Sequence, residues 1–224
     1  GKFTFGSIQF THQGEYHYTI TEKAGTDSHI GYDTSSFDVT IKVTDVDGKL
    51  QAEVVYPDGG VVFNNTYTPD EVIVGPDGTV TAIGGTKTVT ALEAGNSYTM
   101  KGGEFEFTLT PVTKDAPMPK ETTVTNDQAG NFAFGNIMFD KEGEYEYQIA
   151  ETKGDNTLFT YDQTVYTVTV QVTDNNGQLE AVVSYAGGTS TDKAVFDNKY
   201  DPEDVTLGED GNATLGGTKT VTAS

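Results

Sequence analysis

The sequence contains no cysteine and no tryptophan, and all 13 of its basic residues are lysine, so arginine is missing too. Without cysteine there are no disulfides, no thiolate zinc sites and no thiol nucleophile. Basic charge is scarce: 34 acidic residues against 13 lysines leave a formal net charge of −21. That balance excludes a nucleic-acid partner, whose phosphates need a basic face, and disfavours an anionic membrane surface. Long apolar runs are missing as well. None approaches the ~20 residues of a spanning helix, so membrane insertion is not expected. No signal peptide opens the chain, which reads as a fragment of something larger or a protein whose targeting segments were removed. No stretch carries a convincing 3.6-residue apolar period, the mark of an amphipathic helix.

What the sequence does contain favours strands. Among 224 residues there are 36 Thr, 12 Tyr and 12 Phe, types that suit half-buried strands, and 26 Gly, which with Asn and Asp supply turns. The length suits one or two domains. An internal repeat sets the organisation. Residues 1–56 match residues 130–185 without a gap at an offset of 129, with 25 identities. A four-residue insertion follows, after which VVFNNTYTPDEV pairs with AVFDNKYDPEDV, and GGTKTVTA occurs at both 84–91 and 216–223. Residues 84–200 therefore make one complete repeat. Residues 1–67 make the later part of a first repeat, and residues 216–224 the first strand of a following one. Segments 68–83 and 201–215 read as linker hairpins. The counterpart of about residues 92–129 is missing from the first repeat.

Within the repeat, apolar residues alternate: Phe105, Phe107 and Leu109, then Tyr145, Tyr147 and Ile149, then Tyr166, Val168, Val170 and Val172. The Asp174-Asn175-Asn176-Gly177 and Asp45-Val46-Asp47-Gly48 segments are hairpin turns. Short strands with frequent turns predict an all-β class of tandem β-sandwiches.

The same parity puts three polar residues on core-facing stripes. Lys87 shares a face with Val89 and Ala91, Glu151 continues the Tyr145–Tyr147–Ile149 series, and Asn198 lies between Phe196 and Tyr200. Unpaired buried charges are costly, so the three are expected to meet. An apolar site lowers a lysine pKa and raises a glutamate pKa. A neutral amine then attacks the asparagine carbonyl while the protonated glutamate polarises it and carries protons to the departing ammonia. The product is a Lys–Asn isopeptide crosslink formed once, without a cofactor or metal. Each residue alone also has an ordinary reading as a snorkelling lysine, a cross-strand glutamate or a turn asparagine. Recurrence favours the chemistry: Glu22, Asn65 and Lys219 copy Glu151, Asn198 and Lys87.

The order GGTKTVTA, FEFTLTPV, GNFAFGNIMF, GEYEYQIAE, YDQTVYTVTVQV, VFDNKY resembles the streptococcal pilin isopeptide linkage domain. The resemblance covers residues 84–200, and residues 1–67 match its later half. It implies immunoglobulin-like, CnaB-like sandwiches with Lys87 as amine, Asn198 as acceptor and Glu151 as catalytic acid. It likewise implies Glu22 and Asn65 as catalytic and acceptor residues of a partial repeat, and Lys219 as the amine of the next. The implied role is a structural stalk or pilin segment on a Gram-positive cell surface, anchored to the cell wall through segments outside this chain. No LPXTG-type sorting signal or YPK-type motif occurs, so a repeated stalk fits better than a polymerised subunit. The expected partners are neighbouring repeats, with head-to-tail self-association through Lys219 and Asn65.

Two other functions compete with this reading. A host glycan- or protein-binding module is the alternative reading, but most Tyr and Phe fall on inward stripes. A glycosidase would need paired carboxylates, yet these cluster in turns and linkers. A calcium ion at the junctions is the remaining candidate: Asp70, Glu71 and Asp77, and likewise Asp201, Glu203, Asp204, Glu209 and Asp210, offer hard oxygen ligands there, but without EF-hand-type spacing a plain acidic surface is the default expectation.

Overall fold

The structure, a computed structural model, describes residues 1–208 and 215–223. The described residues contain strands and turns and no helix. Backbone contacts divide the chain into unit 1, Gly1–Asp70, and unit 2, Glu71–Ser224.

Unit 1 contains β1 (Gly14–Thr21), β2 (Ile30–Gly31), β3 (Ser36–Val46), β4 (Lys49–Val55) and β5 (Thr66–Tyr67). β1, β3 and β4 form an antiparallel sheet in that order, and β2 pairs with β5. Unit 2 runs β6 (Val72–Val74), β7 (Gly84–Ala91), β8 (Glu106–Pro111), β9 (Thr123–Thr125), β10 (Asn131–Ala133) and β11 (Ile137–Phe139). It continues through β12 (Gly143–Glu151), β13 (Phe159–Thr160), β14 (Val165–Asn175), β15 (Gln178–Ala186) and β16 (Ala194–Tyr200).

Unit 2 is an all-β sandwich. One sheet has the order β15-β14-β12-β8-β9 and the other β10-β7-β16-β13, with a β11-β6 pair beside them. The first and last long strands, β7 and β16, lie side by side and parallel, Lys87 opposite Phe196 and Val89 opposite Asn198. Aromatic rings fill the space between the sheets: Phe107 of β8 stacks on Phe132 of β10 at 3.8 Å, and Phe196 of β16 lies 5.2 Å from Phe107. Tyr147, Ile149, Tyr166, Val168 and Val170 are fully buried beside them, which is the alternation read in the sequence. The β14–β15 hairpin turns through Asn176 and Gly177, both at positive φ, and Asp47 and Gly48 repeat that geometry between β3 and β4. Two positive φ values give the primed turn that matches strand twist.

Unit 1 repeats the later strands of unit 2: β1, β2, β3 and β4 start 129 residues before β12, β13, β14 and β15. Two counterparts are missing as strands. In unit 2, β10 pairs with β7, and β11 pairs with β6. The matching residues 2–4 and 8–10 of unit 1 have no such partner and form no strand. β5 covers only two residues of what in β16 are seven, because β16 owes its length to β7.

Two expectations need correction. Residues 68–83 do not form a linker hairpin. β6 ladders with β11, Val74 bridges Val80 in parallel, and Val72, Val74 and Ile83 are buried in the core of unit 2. Burying three apolar residues outweighs local antiparallel pairing. Residues 216–223 form no strand and are exposed, since no flanking strand satisfies their backbone; residue 224 lies outside the described residues. The centre of the hairpin expected over 201–215 also lies outside them.

Candidate functional site

β7, β12 and β16 bring Lys87, Glu151 and Asn198 together inside unit 2. Lys87 and Asn198 are 1% and 0% exposed, and the Glu151 side chain is fully buried. Lys87 Nζ donates to Glu151 Oε2 at 2.8 Å, and Asn198 Nδ2 donates to Glu151 Oε1 at 2.7 Å. One carboxylate thus holds the amine on one oxygen and the amide on the other. The Phe105 ring closes over the amine, its centroid 4.9 Å from Nζ, and is itself packed against Phe159 and Tyr161. Burial pushes the Lys87 amine below its usual range against the opposing pull of Glu151. Burial also pushes the Glu151 carboxyl up, against Lys87 and the Asn198 hydrogen bond. Both shifts favour the neutral forms.

The asparagine carbonyl faces the other way. Its Oδ1 accepts the backbone N–H of Asp162 at 2.7 Å. This donor polarises the carbonyl that an attacking amine would convert to an oxyanion. The Asp162 carboxylate in turn accepts the N–H groups of Thr164 at 2.9 Å and Asp197 at 2.9 Å, tying the donor loop to β16. Burial opposes its ionisation, but these hydrogen bonds and the Lys87 charge hold it below the usual carboxylate range. Asp162 was not picked out by strand parity because it lies in a loop. Its signal was the recurring Tyr-Asp pair, Tyr32-Asp33 and Tyr161-Asp162.

Unit 1 contains the same constellation without a lysine. Asn65 Nδ2 donates to Glu22 Oε1 at 2.9 Å, and Asn65 Oδ1 accepts the Asp33 N–H at 2.9 Å. The Asp33 carboxylate accepts the N–H groups of Ser35 at 2.8 Å and Asn64 at 2.7 Å. Glu22 Oε2, the counterpart of the oxygen that holds Lys87, is buried with no hydrogen-bond partner. Lys219 stands on the exposed 215–223 segment.

At the unit junctions, Asp77 accepts from Asn136 Nδ2 at 2.8 Å, and Asp70 lies 3.5 Å from His29. Glu209 and Asp210 lie outside the described residues. No cluster of three potential metal ligands occurs among the described residues.

A family model described as FctA, Spy0128-like isopeptide containing domain, matches residues 1–68 and 83–201. The chain belongs to that family. Both matched stretches carry the Glu–Asn pair, and the second carries the lysine as well. A pilin of Streptococcus pyogenes serotype M1 is 33% identical over 106 residues, covering 43% of this chain and 31% of that protein. The chain therefore spans about a third of the length of the curated relative it matches. The crystal structure of the major pilin from Streptococcus pyogenes aligns at 18% identity with a TM-score of 0.37, covering 64% of this chain and 57% of that one. The major pilin T3.2 from serotype GAS13637 of the same species aligns at 20% identity with a TM-score of 0.27, covering 86% and 69%.

Proposed function

We propose that this chain is a load-bearing segment of a stalk or pilus on a Gram-positive cell surface, and that its mechanical element is an isopeptide bond between Lys87 and Asn198. The observation that carries the reading is the shared carboxylate: amine and amide sit on the two oxygens of Glu151, at 2.8 and 2.7 Å, in a dry apolar site. Membership in the pilin isopeptide family supports the structural role and the surface location.

The reaction uses only groups of this chain. A proton passes from the Lys87 ammonium to the Glu151 carboxylate, which burial favours. The neutral Nζ attacks Asn198 Cγ, and the developing charge on Oδ1 is met by the Asp162 N–H. Glu151 delivers a proton to Nδ2, the Cγ–Nδ2 bond breaks, and ammonia leaves. Lys87 loses two protons across the sequence; one makes the leaving ammonia and the other, relayed by Glu151, converts it to ammonium, so the Glu151 carboxylate is regenerated. Turnover is single because the enclosing protein is also the product.

The bond joins adjacent parallel strands at the two ends of the unit. Tension entering at β7 leaves through β16 by way of the crosslink, and the roughly 110 residues between them carry no load. On the chain-entropy model, closing that loop stabilises the unit by about 4–5 kcal/mol.

Digestion with trypsin provides the test. The expected product is a branched peptide joining Lys87 to Asn198, uncleaved after Lys87. Two separate linear peptides, with cleavage after Lys87, would reject the bond.

A further inference from the structure

Apart from aromatic residues, four polar or charged side chains are buried among the described residues: Lys87, Glu151, Asn198 and Asn126. The first three form the reacting group. Asn126, 2% exposed, takes no part in that chemistry, yet its hydrogen-bonding capacity is fully used. Its Oδ1 accepts the backbone N–H groups of Phe105 at 2.8 Å and Glu104 at 3.2 Å. Its Nδ2 donates to the carbonyl oxygens of Lys101 at 2.9 Å and Asp127 at 2.8 Å. The backbone adds two bonds to the same segment. Asn126 N–H donates to Phe105 O at 3.2 Å, and Gly103 N–H donates to Asn126 O at 2.7 Å.

These bonds join two places on which the crosslink depends. One is Phe105, which ends the segment between β7 and β8 and lays its ring over the amine, 4.9 Å from Nζ. Residues 92–105 form no strand, so their backbone groups need other partners. Glu104 supplies some of them, accepting the Tyr98 hydroxyl at 2.7 Å and the Lys101 N–H at 2.6 Å. The Tyr98 ring packs on Phe159, which packs on Phe105. The other place is the turn from Asp127 to Asn131, whose Gly130 carbonyl accepts the Lys87 N–H at 2.7 Å. Gly130 has φ +86°, and a Cβ there would run into the Lys87 carbonyl oxygen, so only glycine lets the turn approach the lysine strand this closely. Asn126 thus ties the ring above the Lys87 amine to the turn that holds the Lys87 backbone.

The effect of the ring follows from its position. Phe105 is 3% exposed and walls off an amine that burial pushes below its usual range. A ring face attracts an ammonium, but without water the desolvation cost is larger, and the pair shifts toward amine and carboxylic acid. The charged groups acting on the amine are Glu151 in contact, and Asp162 and Asp197 farther away. They lie on β12, in the loop after β13 and on β16, so none belongs to the Phe105 segment or to Asn126.

We propose that Asn126 is a positioning residue for bond formation, holding the Phe105 ring closed over Lys87 so that water is kept from the amine and the Glu151 carboxyl. This role rests on the Lys87–Asn198 reaction proposed above. Asn126 acts through Phe105 and bonds to none of the reacting side chains.

The test dilutes unfolded, uncrosslinked full-length chain into buffers of different pH and follows ammonia release. Wild type is compared with Asn126→Ala, Phe105→Ala and the double variant. Asn126→Ala should slow the reaction by roughly 10²-fold at its plateau. It should also widen the plateau, the acid limb moving down and the alkaline limb up, because water returns both groups toward their ordinary pKa values. Phe105→Ala should do the same. The double variant should be no slower than the slower single one, since both remove the same ring from the site. A purely structural role would lower the crosslinked fraction alike at every pH and leave the limbs in place, and that result would overturn the proposal. Additive losses would overturn it too. Asn126→Asp keeps an oxygen for the Phe105 N–H and should fall between wild type and Asn126→Ala. If Asn126→Ala does not fold, Asn126→Asp decides: a plateau wider than that of wild type supports the positioning role, and one of equal width rejects it. A wild-type chain that releases no ammonia would instead overturn the Lys87–Asn198 reaction itself.

Discussion

Glu22 and Glu151 each accept an asparagine Nδ2–H on Oε1, at 2.9 and 2.7 Å. They differ at Oε2, which holds Lys87 Nζ at 2.8 Å in one and is buried without a partner in the other. The acceptor geometry is thus the same in both units, with a lysine on the second oxygen in one of them. Glu151 at the end of β12 and Glu22 directly after β1 supply the carboxyl, and the Asp162 and Asp33 loops aim an N–H at the asparagine carbonyl.

Removing either end of the Lys87–Asn198 pair should cost the same stabilisation. Lys87→Ala and Asn198→Ala are each expected to lose the crosslink and about 4–5 kcal/mol from the entropic model. Because that loss is shared, the double variant should be far less destabilised than the sum of the two. Denaturant unfolding of the four proteins measures the coupling. Additive losses would show that the residues act separately.

The rate of bond formation should depend on pH as a broad plateau with two falling limbs. The reacting pair holds one proton in total, whether written as ammonium and carboxylate or as amine and carboxylic acid, so its population does not change between its two macroscopic pKa values. In acid the pair gains a second proton, leaving a cationic amine; in alkali it loses the last one, leaving no general acid. Burial pushes Lys87 down and Glu151 up, which narrows the plateau from both sides. The profile is read by mixing unfolded, uncrosslinked chain into buffers of different pH and following the ammonia released. A rate that climbs steadily to the pH of free lysine titration would contradict the carboxyl's part.

Much of this was legible in the sequence. Alternation identified the strands because each sheet of unit 2 is buried on one face, so parity alone put Tyr147, Ile149 and Glu151 on the same side. The same parity turned Lys87 and Asn198 inward on neighbouring strands. Asp162 was hidden because loops have no period, and its role depends on a backbone N–H that any residue type could supply. The place of residues 68–83 was hidden for another reason. Gly-Pro-Asp-Gly reads as a hairpin locally, and only the sandwich supplies β11 as a better partner for Val72–Val74.

Asp162 should act by positioning. Asp162→Ala removes the acceptor of the Thr164 and Asp197 N–H groups, loosens the loop that faces Asn198, and should slow crosslinking by roughly 10²-fold. Asp162→Asn keeps one acceptor oxygen and should recover part of the rate. The carboxyl is held below its unfolded value, so its stabilisation is present above the usual carboxylate range and lost as pH falls through the folded value. The stability gap between wild type and Asp162→Asn should therefore close in acid. A gap that widens in acid would contradict the assigned sign.

Pulling a single chain by its ends should distinguish load-bearing from merely stable. Unit 2 should show no extension of the segment between Lys87 and Asn198 at any force short of breaking a covalent bond. Glu151→Ala should unfold that segment in one step. Extension of the wild-type segment would remove the mechanical role.

The central claim is most directly tested by the intact mass of the denatured chain, 24.0 kDa by sequence, beside that of Glu151→Ala. A Lys87–Asn198 bond predicts a monomer lighter than its sequence mass by one ammonia, and a Glu151→Ala protein at full mass. Wild type at full mass would contradict it.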